Sequence, residues 1–290
     1  MSTVKAVASW LRMKDVRRRL LLERLTEPMH LNVAAAAVAL FGSTRAKIEF
    51  DVLPLPFHAY GLLSAADMAL ASGKRSVTAM EFGVAAGRGL MNMASIAEKL
   101  MKLTGVRIEL YGFDSGTGMP PPLDERDHPN LYYTGDFPMD VERLKSKLPP
   151  FVKLVLGDVR DTIPAFLETH SADSPIGYAS IDVDYYSSAR EVLNVFRGAP
   201  EHYLPATVLY FDDILDRENH RWAGELLAIE EFNESESRRK IDVYRYLRNR
   251  RIFKNAWWIE HIRTLHVLDH PARSTPRPGG VQVIDNPYID

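Results

Sequence analysis

Four aspartates close strand-like runs in the second half of the chain: Asp182 and Asp184 in IDVD, and Asp212 and Asp213 in YFDD. Asp182 and Asp184 are two residues apart, so in an extended chain their side chains point to the same side. If the two runs are neighbours in one sheet, the acids converge, and like charges so placed repel unless a cation or a proton intervenes. Carboxylate oxygens alone form a donor set for a hard cation such as Mg2+. The plainer role of any one of them is a helix N-cap or a loop acid. Upstream, Glu81, Gly83 and Gly87 stand in EFGVAAGRG. The spacing G-x-x-x-G-x-G is not the G-x-G-x-x-G of a dinucleotide site. A carboxylate two residues before the first glycine suits an ammonium group and would repel a pyrophosphate. Asp114 and Ser115, in GFDS, can accept from ribose hydroxyls, and Asp158, in GDV, can meet an adenine amino group. Glycine turn and acids together describe a pocket for adenosine with an amino-acid end. That describes S-adenosylmethionine (SAM) better than NAD. No phosphate-binding G-x-x-x-x-G-K-[ST] string occurs.

The elements that must hold these residues alternate. SVTAMEF, VRIELYGF, FVKLVL, IGYASIDV and ATVLYFDD read as strands, separated by helical runs such as LMNMASIAEKLMKL, DTIPAFLETH, SSAREVLNVF and WAGELLAIEEFN. Strand–helix alternation implies parallel strands with right-handed crossovers. The strands are almost continuously apolar, as expected when helices cover both faces of a sheet. KIDVYRYL and AWWIEHIRTLHVL follow without a long helix between them and read as an antiparallel pair closing the sheet. The first seventy residues read as helical. TVKAVASWLRMKDVRRRLLLERL has a basic outer face, and LNVAAAAVALFG reads as an Ala-rich buried helix, too far from the start to be a secretory signal core. HAYGLLSAADMALASG is a helix with Gly73 as its C-cap. The stretch Thr117 to Asp140 is rich in Pro, Asp and Tyr and reads as a lid or acceptor loop, or as a packed surface loop. The expected division is a helical N-terminal cap or oligomerisation region at 1–72, a catalytic domain at 73–270 and an irregular tail at 271–290.

Composition bounds the function. Thirty-six Lys and Arg against 38 Asp and Glu give a charge of −2, which lacks the basic footprint of a nucleic-acid binder. The chain has no cysteine. That excludes disulfides, zinc–thiolate sites, iron–sulfur clusters and a cysteine nucleophile, and it fits a reducing, cytoplasmic setting. No run is long enough to span a bilayer.

VTAMEFGVAAGRGL, LYGFDSGTGMP, IDVDYYSSAREVL, VLYFDDI and AIEE, in this order, resemble the macrocin O-methyltransferase family over roughly Ala59 to His270. The resemblance implies a Rossmann-like α/β fold with the seven-stranded sheet of class I methyltransferases. It implies methyl transfer from SAM to a hydroxyl of a sugar or small natural product, with Mg2+. By motif position, Glu81, Gly83 and Gly87 would hold the methionine end of SAM, Asp114 and Ser115 the ribose, and Asp158 would lie near adenine. Asp182, Asp212 and Asp213 would be the metal ligands and Asp184 the general base. His128 and His220 are candidates to touch the acceptor, His220 being the second candidate for the catalytic set. The chain departs from the family at Ala85-Ala86, with Arg88 after the second glycine, and at Gly116-Thr117. Two other readings share some of these residues. D-x-D also serves metal-dependent nucleotide-sugar glycosyltransferases, and a non-catalytic SAM-binding scaffold could dock a partner through the basic N-terminal helices. The expected partners are a small-molecule or glycan acceptor and a second copy of the chain through the N-terminal helices.

Overall fold

The computed structural model describes residues 22–274, apart from Asp216 and Asn219. Most of the basic helix expected near the N-terminus, and the C-terminal tail from residue 275, lie outside the described residues. Among the helices of the described residues, α1 (Met29–Phe41), α2 (Thr44–Glu49) and α3 (Pro56–Ala71) precede the first strand. The Ala-rich run is helical as expected but not buried, since only Ala35 of α1 is buried. Alanine favours a helix in any environment, whereas burial needs a partner surface, and α1 packs chiefly on the short α2. In contrast α3 is largely buried and packs against the sheet. It therefore covers the strands, although it falls within the 1–72 region.

Seven strands follow: β1 (Ser76–Phe82), β2 (Arg107–Asp114), β3 (Val152–Leu156), β4 (Ile176–Ile181), β5 (Tyr203–Phe211), β6 (Arg239–Val243) and β7 (Ile262–Val267). They form one sheet in the order β3-β2-β1-β4-β5-β7-β6. The first five are parallel, and β7 runs antiparallel to both β5 and β6, which is the closing pair expected from sequence. The connecting helices are α4 (Arg88–Thr104), α5 (Val141–Lys145), α6 (Val159–Thr169), α7 (Tyr186–Val192) and α8 (Gly224–Ser235). Apolar side chains on the two faces of the sheet build two cores. One holds Val77, Ala79, Leu62 and Leu90, the other Met80, Phe82, Phe113 and Phe211. Every residue of β1 is buried, because helices cover both faces.

The register sets the functional edge. Phe82 of β1 is level with Phe113 of β2 and with Ile181 of β4, and Ile181 is level with Phe211 of β5. The next residue on each strand is therefore Gly83, Asp114, Asp182 and Asp212. All four emerge at the carboxyl end of the sheet, where open α/β folds bind ligands.

Candidate active site

The glycine turn after β1 is shaped by backbone contacts. Gly83 has φ +82°, and a Cβ there would stand 1.7 Å from the carbonyl oxygen of Asp182. Only glycine tolerates both the left-handed conformation and that approach. Gly89 lies equally close to Glu81, with a built Cβ 1.7 Å from its Oε1. Asp114, at the end of β2, accepts from the N–H groups of Val84 and Ala85 at 2.9 Å each through Oδ2. Its Oδ1 accepts from the Gly116 N–H at 2.6 Å. The acid expected to meet ribose thus also holds the glycine turn in place. Ser115 donates to the Gly118 carbonyl at 3.0 Å and accepts from the Thr117 N–H at 3.1 Å.

Glu81 is buried below this turn, and its Oε2 has no hydrogen-bond partner. Burial pushes its carboxyl up to about 8, against an opposing backbone hydrogen bond from Leu90. His58 Nε2 stands 3.9 Å from Glu81 Oε1. Burial pushes this imidazole down to about 3, with a smaller push from Arg88. At neutral pH the pair is therefore two uncharged groups and not an ion pair. His58 Nδ1 is fixed by the Tyr178 hydroxyl at 3.0 Å.

The aspartates converge as the neighbouring strands require. Asp182, Asp184 and Asp213 each offer a carboxylate oxygen, and these lie within 4.8 Å of one another. The set differs by one residue from the ligands implied by the resemblance. Asp212 stands beside it on the pocket wall, with its Oδ1 accepting from the Tyr210 hydroxyl. Asp182 and Asp184 do not meet by strand alternation, because β4 ends at Ile181. Asp184 has φ +58°, and the Tyr185 N–H bonds back to the Val183 carbonyl. The tight turn brings the second acid round to the first. A non-glycine residue held in this region is strained, as functional sites often are. Asp182 is exposed to the cavity, among other acids. Desolvation, followed by the charges of Asp212, Asp213 and Asp184, pushes its carboxyl well above the usual range.

Glu225 is a further acid of the cluster that the sequence reading did not single out. It lies in the first turn of α8, fully buried, with Oε2 accepting from the Asp213 N–H at 3.2 Å. Desolvation and then Asp213 and Asp182 push its carboxyl well upward. In sequence it looks like any acid at a helix start, where the dipole favours negative charge.

One cavity of about 940 Å³ joins the two halves, with Gly83, Asp114, Ser115, Asp158, Asp182, Asp184 and Asp212 in its walls. Asp158 caps α6, and its carboxylate is spanned by the Arg160 guanidinium, with Nε at 3.0 and 3.1 Å. Gly87 packs on Leu144 behind the wall, and Asp213 is buried behind it. His220 is exposed, its Nδ1 accepting from the Trp222 N–H at 3.3 Å, and it is not part of the cavity wall. His128 is buried, with its ring 6.5 Å from that of His220. The long connection from Thr117 to Asp140 lines one side of the cavity through Met119, Pro121, Tyr132 and Phe137. Fully buried Asp127 ties it to the start of α7, accepting from the Ser187 N–H at 2.8 Å and hydroxyl at 2.7 Å.

Residues 80–214 match the family model of a methyltransferase domain. The matched stretch is a little under half of the chain. The match runs from the end of β1 to the loop after β5, and so covers the glycine turn and all four aspartates. Solved structures similar to the chain include the calicheamicin methyltransferase CalS11, at 24% identity over 60% of this chain and 69% of that one, with a TM-score of 0.45. The O-methyltransferase TomG from Streptomyces achromogenes, in complex with SAM, is 14% identical over 87% of this chain and 96% of that one, with a TM-score of 0.42. The O-methyltransferase from Bacillus cereus is 13% identical over 78% and 88%, with a TM-score of 0.37. No curated protein sequence matches the chain. No helix among the described residues is long and apolar enough to cross a membrane.

Proposed function

We propose that the chain transfers the methyl group of SAM to a hydroxyl of a sugar or small natural product, assisted by Mg2+, as enzymes of the macrocin type do. The observation that carries this reading is the placement of Asp184 beside Asp182 and Asp213, in the same cavity as the Gly83–Asp114 turn. The sulfonium of SAM carries an already activated methyl group, so the protein's task is chiefly alignment of the acceptor oxygen. Glu81 and the glycine turn would receive the amino-acid end of SAM, and Asp114 with Ser115 the ribose. Asp184 would take the hydroxyl proton on a carboxylate oxygen as the oxygen attacks. The convergent oxygens of Asp182, Asp184 and Asp213 are all carboxylate, a donor set that fits a hard divalent cation. Asp182 and Asp213, with Asp212 beside them, would hold it, and when bound it would lower the pKa of the acceptor hydroxyl.

The acceptor class rests on the mouth of the cavity. Leu123 and Phe137 of the long connection line the cavity and are exposed there, a surface suited to the apolar body of an organic acceptor. We read 73–270 together with α3 as the catalytic domain. The exposed Met29, Val33, Leu40 and Phe41 of α1 are the surface through which two copies would associate. Calorimetric titration with SAM, with and without Mg2+, followed by a mass-spectrometric screen of hydroxylated sugars and glycosides, tests the reading. A gain of one methyl group on a hydroxyl supports it; absence of SAM binding in both conditions sinks it.

A further inference from the structure

Glu225 has no structural need for its charge. It is fully buried in the first turn of α8, where acids ordinarily face solvent. Its one recorded hydrogen bond accepts from the Asp213 N–H at 3.2 Å, and Oε1, also buried, has no hydrogen-bond partner. A glutamine could accept the same bond, and an apolar residue could fill the same volume. Burying a carboxylate next to others without a compensating cation is costly. The helix stands where it does because α8 packs on α7, which follows the Asp182–Asp184 turn, so its first residues close the cluster from behind. Glu225 thus stands directly behind Asp213, whose carboxylate converges with those of Asp182 and Asp184 within 4.8 Å.

We infer that Glu225 is a further carboxylate of the divalent-cation site: it positions Asp213 through the backbone N–H and supplies negative charge that sets cation affinity. It would act as a positioning residue and not as a catalytic one. Carboxylates placed behind metal ligands orient them and strengthen binding. The inference rests on the cation reading made above, and extends it to a residue outside the ligand set implied by motif position.

The test is calorimetric titration of the full chain with MgCl2 and with MnCl2, comparing wild type, Glu225→Gln and Glu225→Leu. SAM affinity in metal-free buffer and metal-free melting temperature are measured alongside. Glu225→Gln should weaken both cations about tenfold or more and leave SAM affinity and the metal-free melting temperature unchanged. Glu225→Leu should weaken the cations at least as much. Wild-type cation affinity in the glutamine variant would overturn the inference while leaving the cation site intact. A merely structural glutamate predicts lower melting temperatures for both variants and an unchanged affinity in the folded protein, which also overturns it. Failure of the wild type to bind either cation would refute the cation reading itself, and Glu225's role with it.

Discussion

Gly83 and Asp182 touch through their backbones: a Cβ on the first would lie 1.7 Å from the carbonyl oxygen of the second. The turn that would receive SAM and the cluster that would activate the acceptor are therefore one rigid unit and not two adjacent features. Gly83→Ala should disturb both. The left-handed φ alone costs about 1–2 kcal/mol, and the clash forces β1 and β4 apart at their ends. The expected result is a lower melting temperature together with loss of SAM binding in calorimetry. Unchanged SAM affinity would show that the contact does not shape the pocket.

Asp184→Asn tests the base. The variant keeps the size of the side chain and the turn at Val183–Tyr185, but not the proton acceptor. Turnover should fall about 10²–10⁴-fold, the usual contribution of general base catalysis, with SAM affinity retained. Turnover within a few-fold of wild type would assign the proton to another group.

The sheet and the edge that carries the site were legible in sequence because each depends on local pattern. The apolar runs marked the strands, and sequential parallel strands are commonly neighbours, so the convergence of the IDVD and FDD acids followed. β5 begins at Tyr203, earlier than the expected ATVLYFDD, because Pro205 disguises a strand. Three features escaped for a common reason. The left-handed Asp184, the buried Glu225 and the exposed α1 depend on what packs against them in three dimensions. A string of residue types records propensity and period but not the neighbour across the fold. His220 shows the converse: its position after β5 pointed to the site, but the loop carries it to the surface.

Arg251 clasps the N-terminal helices to the C-terminal part of the sheet. It donates to the Ile48 and Glu49 carbonyls at 2.8 and 3.0 Å and to Asp51 Oδ1 at 2.7 Å, and both members of the Asp51 pair are buried. Arg251→Leu should destabilise the chain by about 3–5 kcal/mol, since it strands a buried charge. Adding Asp51→Leu should recover part of the loss. A single-variant melting temperature equal to wild type would mean that the clasp contributes nothing.

Glu81 predicts a proton-coupled SAM affinity. Burial pushes its carboxyl from an ordinary 4.5 up to about 8, so the unliganded protein holds this proton at neutral pH. The sign for stability follows: the native state keeps a proton that the unfolded chain loses above about 4.5. The group's stabilising contribution is full below that pH, declines as pH rises and is lost above about 8. An ammonium group arriving beside Glu81 favours the ionised carboxylate and should expel the proton. SAM binding at pH 7 should therefore release about one proton, and affinity should rise as pH approaches 8. Titrations in buffers of different ionisation enthalpy measure the release directly. Glu81→Gln should abolish it and weaken SAM. Equal binding enthalpies in all buffers for the wild type would mean that Glu81 does not meet the ammonium.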